Sequence, residues 1–427
     1  MSTPFPSNET AMQAPENVSQ LVKDAGNPSL VDLSDTLGLP EGGFDAWGTV
    51  LGSFLIQFCG FGYVSAYGVF QDFYTQTYLT NFTPSAIAWI GSVNAFLILS
   101  VGIVSGRMVD QGALYPVMKI GCLLQCFFLF MLSLTKPDGY YQIFLSQGIG
   151  HGIAIGLTNV PSIAIVSHHF QRRRAVAMGI VVAGSSLGAI LHPIMLNNLI
   201  NGRLGFANGV RASATLNGGL LFIANLLMRT RLPPRPKAVS YTRVLRNSSR
   251  DGAYMCACVG MAAFEFGYFF EAFYLHSGSF IGRLTVGFVS AYVGIPNTIV
   301  GSSLISSAVL FAMIGLHSAA SVAVIAASYG FFSGGVVAMM GPVISILTPE
   351  ISHIGARIGI AFAIAGIGSL LGAPICGAFL TSHYIWWKAV IFAGSVATGG
   401  CIMFVSMQFI LEMRQRSSRV CSKEADV

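Results

Sequence analysis

A chain of 427 residues that is 53% hydrophobic and 9% charged, with 49 glycines, is far too apolar for a water-soluble fold, where about a quarter of residues carry charge. The net charge of +6 does not signal nucleic-acid binding, because the basic residues fall in short clusters between apolar runs, as in the cytoplasmic loops of a polytopic membrane protein. At about 20 apolar residues per crossing, the length accommodates about twelve short-looped helices.

Residues 1–44 are polar, with neither a basic first segment nor a short apolar core. No cleavable signal is expected, and the stretch reads as a disordered cytoplasmic tail whose sequons at Asn8 and Asn17 stay bare. An N-terminal helix bundle is expected over 45–228. Helix 1 runs from Trp47 to Phe70, followed by an external loop from Gln71 to Pro84 with a sequon at Asn81. Helix 2 (Ser85 to Ser105) ends in a charged turn, Gly106 to Gly112, and helix 3 (Leu114 to Leu134) meets helix 4 (Tyr140 to Ser167) through the turn-forming Lys136-Pro137-Asp138-Gly139. Helix 4 sets Gly148, Gly152 and Gly156 in one row before Pro161, which predicts close packing and a kink. Arg172, Arg173 and Arg174 mark a membrane surface, and beyond them Gly184 and Gly188 lie one turn apart on helix 5, which ends near Leu199. Helix 6 covers Ala212 to Met228.

A basic cytoplasmic linker over 229–252, non-helical at its start because of Pro233, Pro234 and Pro236, separates this bundle from a C-terminal bundle over 253–411 and a basic cytoplasmic tail over 412–427. The basic clusters place both termini in the cytoplasm and require an even number of spans. The halves are related: Gly184 to Ala189 returns as Gly368 to Ala373, with Gly368 and Gly372 in the same spacing at an offset of 184, and Val101 to Ser105 returns as Val286 to Ser290 at an offset of 185. Against that ruler the second half is short. Trp47 to Ser105 spans 58 positions, whereas Ala253 to Ser290 spans 37, which leaves helices 7 and 8 about 18 residues each, the lower limit for a crossing. The fold class is therefore an all-α membrane protein of two six-helix bundles, twelve helices nominally, with helices 7 and 8 shortened.

Glu41-Gly42-Gly43-Phe44 with Trp47, Phe170-Gln171-Arg172-Arg173-Arg174-Ala175 followed by the Gly184 to Gly188 run, and the Gly106 to Gly112 turn with Asp110 are the specific features of the chain. In them it resembles the major facilitator superfamily, in its fungal monocarboxylate-porter-like branch, over Glu41 to Leu411. The resemblance implies two bundles rocking about a mid-membrane site with alternating access. In animal monocarboxylate carriers a helix 1 lysine and a helix 8 acid-arginine pair couple a proton to an anion. Here Tyr67 occupies the lysine's place, and Arg283 matches the arginine while Ser279 stands where the acid would be. Relatives in that branch also carry an external loop and a full helix 8 between the positions of Leu275 and Ser279, which fits the deficit in length.

An ionisable side chain in a membrane helix marks function or an internal pair, since exposure to lipid costs about 2.5 to 3.5 kcal/mol. Glu265 and Glu271 in helix 7 and Arg283 in helix 8 are the candidates for solute binding and proton coupling. Tyr67, Asn94 and Asn159 are polar groups suited to lining a solute path or to interhelical hydrogen bonding. Arg107, Asp110 and Arg173 read as a cytoplasmic latch. Seven of eight cysteines lie in apolar segments without zinc spacing, so neither a disulfide framework nor a metal or other cofactor is expected. The sequence supports a secondary transporter of small organic solutes, monocarboxylate-like or metabolite, in the plasma membrane and without enzymatic activity. Its partners would be a small-molecule solute, a proton and the lipid bilayer. A transport-impaired isoform, or a membrane sensor or interaction protein that keeps the fold, is the alternative.

Overall fold

The computed structural model describes residues 42–171, 173–230, 241–267, 273–315, 318–350, 353–379 and 386–425. Glu271, Arg172, Asn8, Asn17 and the prolines at 233, 234 and 236 lie outside them. Every regular element among the described residues is helical. The first half comprises α1 (Phe44–Tyr78), α2 (Ser85–Asp110), α3 (Leu114–Leu132), α4 (Tyr140–His168), α5 (Arg174–Ile200) and α6 (Gly205–Leu227). A linker helix α7 (Tyr241–Arg250) follows. The second half holds α8 (Gly252–Gly267), α9 (Phe273–Val293), α10 (Ile295–Gly315), α11 (Ala319–Ile346), α12 (Ile354–Phe379) and α13 (Trp386–Ala425). Ten described helices are long and apolar enough to cross a membrane, and α8 is a shorter apolar helix.

Several boundaries differ from those expected. Helix α1 does not stop at Phe70; after breaks at Gly60 and Ala66 it continues through a π turn to Tyr78. Its last turns mix polar and aromatic residues without aliphatic ones, which disguised them as a loop. Phe70 and Tyr74 are fully buried, Phe73 stacks on Phe206 of α6 at 5.0 Å, and the Tyr74 hydroxyl donates to Gln147 Oε1 at 2.6 Å. Helix α2 likewise runs through the charged stretch as far as Asp110, because Gly102 and Gly106 are packing positions. Of the turn's two flanking glycines only Gly112 leaves the right-handed region, at φ 83°. The described part of α8 has 16 residues, about 24 Å at 1.5 Å per residue, and that of α9 has 21 and runs unbroken across Leu275 and Ser279. Helix α13 extends past Leu411 to Ala425, and the linker contains the basic amphipathic α7, neither of which the sequence reading anticipated.

The repeat reappears as packing. Gly184 and Gly188 of α5 face the carbonyls of Phe54 and Phe58 on α1, while Gly368 and Gly372 of α12 face those of Ala262 and Phe266 on α8. A β-carbon on Gly188 would sit 2.5 Å from the Phe58 oxygen, and one on Gly372 2.6 Å from that of Phe266. Small residues allow this approach, and lipid leaves packing as the main force that holds the helices together. Along α4, Gly148, Gly152 and Gly156 face the carbonyls of Ile90, Asn94 and Leu97 on α2. The halves then meet along two crossings, α2 on α12 and α5 on α9.

Candidate functional site

Between those crossings lies a cavity that encloses about 560 Å³ of space not filled by atoms, counting the part open to solvent, of which about 40 Å³ admits the centre of a water molecule. Its walls come from α1, α2, α4 and α5 of the first half and α8, α9, α11 and α12 of the second. Most of the lining is apolar, with Phe61, Met340 and Phe362 among the larger groups, and the polar groups are few: Gln57, Asn159, Ser185, Glu265 and Arg283. That composition, an apolar cleft with a handful of convergent polar groups, suits a small organic molecule.

Arg283 is 3% exposed and Glu265 6%. The guanidinium of Arg283 crosses from α9 to α5, where Nη1 donates to the Val182 carbonyl at 2.9 Å and to Ser185 Oγ. The carbonyl of Val182 also accepts the Ser185 hydroxyl at 2.8 Å, so one turn of α5 forms a seat for the arginine. Glu265 Oε2 accepts the Ser369 hydroxyl at 3.1 Å, which ties α8 to α12 within the second half. Ser279, standing where the resemblance would put an acid, shares a 3.1 Å hydrogen bond with Ser186 of α5 and thus serves the crossing. Between α1 and α4 Gln57 Nε2 donates to Asn159 Oδ1 and to Ser162 Oγ, each at 2.9 Å.

The structure brings together Arg283, Glu265 and Asn159 and leaves Tyr67 and Asn94 elsewhere. Those two line a separate pocket inside the first half, with Tyr63, Gln147 and His151, that encloses about 230 Å³ of space not filled by atoms, of which about 10 Å³ admits the centre of a water molecule. There the Tyr67 hydroxyl donates to the Ile87 carbonyl, and Asn94 Nδ2 donates to the Gln147 carbonyl at 2.5 Å. Their polar groups join helices rather than face the central cavity. Gln57 was missed by sequence reasoning. It is one of several glutamines and asparagines in apolar helices, including Gln125 and Asn217, and nothing local separates it from them.

At the end of the molecule that carries the basic clusters, Asp110 closes the α2–α12 crossing. Its carboxylate accepts the backbone N–H of Gly355 at 3.0 Å and of Ala356 at 2.7 Å, satisfying two orphan donors in the first turn of α12 and meeting the positive end of its dipole. Arg107 and Arg173 are exposed at the same end. Arg357, the counterpart of Arg173 at the repeat offset, lies 4.3 Å over the ring of Tyr254 and donates to Asp251 Oδ2 at 2.9 Å, while Arg414 of α13 donates to Asp251 Oδ1 at 2.8 Å. Burial by itself would raise the Asp251 pKa, but the hydrogen bonds and charges of the two arginines outweigh it and hold the carboxyl below its ordinary value.

The Major Facilitator Superfamily model matches residues 49–275. The chain is 34% identical over 388 residues to the aspyridones efflux protein of Emericella nidulans, covering 86% of this chain and 78% of that one. It is 31% identical over 430 residues to an MFS-type transporter of Aspergillus niger, covering 96% of each, and 30% identical over 388 residues to the agnestins efflux protein of Paecilomyces divaricatus, covering 86% of each. Among solved structures, the fold is that of the transporter FucP in its outward conformation, with a TM-score of 0.64 at 13% identity over 84% of this chain and 98% of that one. A multi-pass, two-half helical chain with its polar groups gathered in a cavity between the halves thus belongs to the major facilitator superfamily.

Proposed function

We propose that this protein is a secondary transporter that exports small organic solutes by alternating access. The observation that carries the reading is the cavity where a buried arginine and a buried glutamate from the second half share walls with paired amides from the first. A solute bound there would contact both halves and so bias their rocking. Arg283 offers a fixed positive charge to an anionic or carbonyl-bearing group, and Glu265, rather than a residue of α9, supplies a carboxyl able to take up a proton in the coupled step. Asp110, Arg107 and Arg173 form the cytoplasmic latch, with both termini on that side and the plasma membrane as the site of export. The narrower monocarboxylate-porter assignment has less support than export of metabolites, since two of the relatives are named as efflux proteins, for aspyridones and for agnestins.

The short stretch of sequence available to helices 7 and 8, 37 positions from Ala253 to Ser290 against 58 from Trp47 to Ser105, favours a second reading, a transport-impaired isoform or a membrane sensor that keeps the fold. Counterflow in proteoliposomes separates the two. With labelled 2-quinolone-4-carboxylate and lactate as probes, we expect uptake of 2-quinolone-4-carboxylate by the wild type and its loss in Arg283→Ala. Retained uptake in that variant removes Arg283 from the site, and binding without flux in the wild type selects the sensor.

A further inference from the structure

The two amides that α1 and α4 contribute to the central cavity define a group that the solute should carry. Ser162 Oγ sends its one proton to the Asn159 backbone carbonyl at 2.7 Å, so toward Gln57 it can only accept. That fixes the Gln57 atom beside it as Nε2, and the Asn159 atom 2.9 Å from the same nitrogen must in turn be Oδ1. Both Gln57 protons are then spent within the protein. What remains is one acceptor, Gln57 Oε1, and one donor, Asn159 Nδ2. Neither makes a hydrogen bond to another described residue, and neither is sealed away as His151 Nε2 and Asn94 Oδ1 are. Both residues are 4% exposed and line the central cavity. The pair is clamped by Ser162 and the helix backbone, so its free atoms are held in place before anything binds.

We propose that Gln57 and Asn159 form a paired-amide recognition site for solutes that carry a hydrogen-bond donor directly beside a carbonyl oxygen, as in secondary lactams. The solute N–H donates to Gln57 Oε1, and its carbonyl accepts from Asn159 Nδ2. The flat apolar remainder of such a solute lies against Phe61, Met340 and Phe362. This site rests on the transporter reading and names the chemistry that the transporter would select. A solute without the donor leaves Oε1 desolvated and unpaired, and a site built to hydrogen-bond rejects such an analogue far more strongly than an apolar pocket rejects a missing methylene.

The test is equilibrium binding to the full-length protein in nanodiscs, with 2-quinolone and N-methyl-2-quinolone as probes. The wild type should bind 2-quinolone at least about tenfold more tightly than its N-methyl derivative, and in Gln57→Leu the ratio should fall to about one. Equal binding of the two probes by the wild type, no binding of 2-quinolone, or a ratio that survives in Gln57→Leu overturns the site. The wild-type comparison needs no variant and so stands whether or not Gln57→Leu folds. Absence of 2-quinolone-4-carboxylate flux with the ratio intact overturns the transporter reading alone and leaves the paired-amide site in place.

Discussion

The two crossings that join the halves are related by the repeat, Gly102 on Gly359 matching Gly287 on Ala175, yet they are built to different ends. At α2–α12 the backbones touch: a β-carbon on Gly106 would overlap the Gly355 carbonyl, and one on Gly359 would overlap that of Gly102. At α5–α9 a β-carbon on Gly287 would lie 3.5 Å from the Ala175 carbonyl, an ordinary contact, and Arg283, Ser185, Ser186 and Ser279 lie at the crossing. One crossing is a close backbone contact with a carboxylate cap, the other a polar seam that holds the buried arginine. The repeat supplies the scaffold, and the buried polar groups sit where the two copies differ.

The largest expected effect comes from filling the closer crossing. Gly106→Leu puts a side chain where two backbones touch, and overpacking there should destabilise by at least about 3 kcal/mol. The check is the yield of monodisperse protein after detergent extraction, which should collapse; normal yield and melting temperature would mean that the halves can part there freely. Next is Asp110→Ala, which removes the cap on α12. A capping and dipole contribution of about 1 to 2 kcal/mol should appear as a roughly five- to thirtyfold faster amide exchange at Gly355 and Ala356, with amides in α9 unchanged.

A smaller effect should follow pH. Because the folded pKa of Asp251 is depressed, its contribution is fully present above its unfolded value of about 4 and is lost as pH falls through the lower folded value. The difference in melting temperature between wild type and Asp251→Asn should therefore be constant from pH 5 to 7 and shrink toward pH 3; a difference that grows on acidification contradicts the ion pairs with Arg357 and Arg414. Smallest is Gly287→Ala at the polar seam, where an ordinary contact predicts a change within about 0.5 kcal/mol. A loss as large as that of Gly106→Leu would erase the distinction between the crossings.

Much of this was legible from residue order. Gly184, Gly188, Gly368 and Gly372 announced their helix faces because residues four apart in a helix share a side whatever surrounds them. Arg283 and Glu265 stood out because a charge amid apolar residues is expensive anywhere in a bilayer. Tyr67, Asn94, Asn159 and Gln57 show where that logic ends. All four are polar groups in apolar helices, yet two face a small chamber inside the first half and two face the central cavity. Hydropathy reports that a helix spans the membrane but not how it is rotated about its axis.

What the sequence determined by itself was the approximate place of most spans, the internal repeat and the small-residue faces, since each follows from local spacing and from the free energy of burying polar groups in lipid. Only the tertiary structure decided which polar groups share a cavity, that α1 runs on through its aromatic turns, and that Asp110 reaches across to cap α12. Those features depend on helix rotation and on contacts between residues as far apart as Asp110 and Gly355, and these are set when the two halves pack against each other.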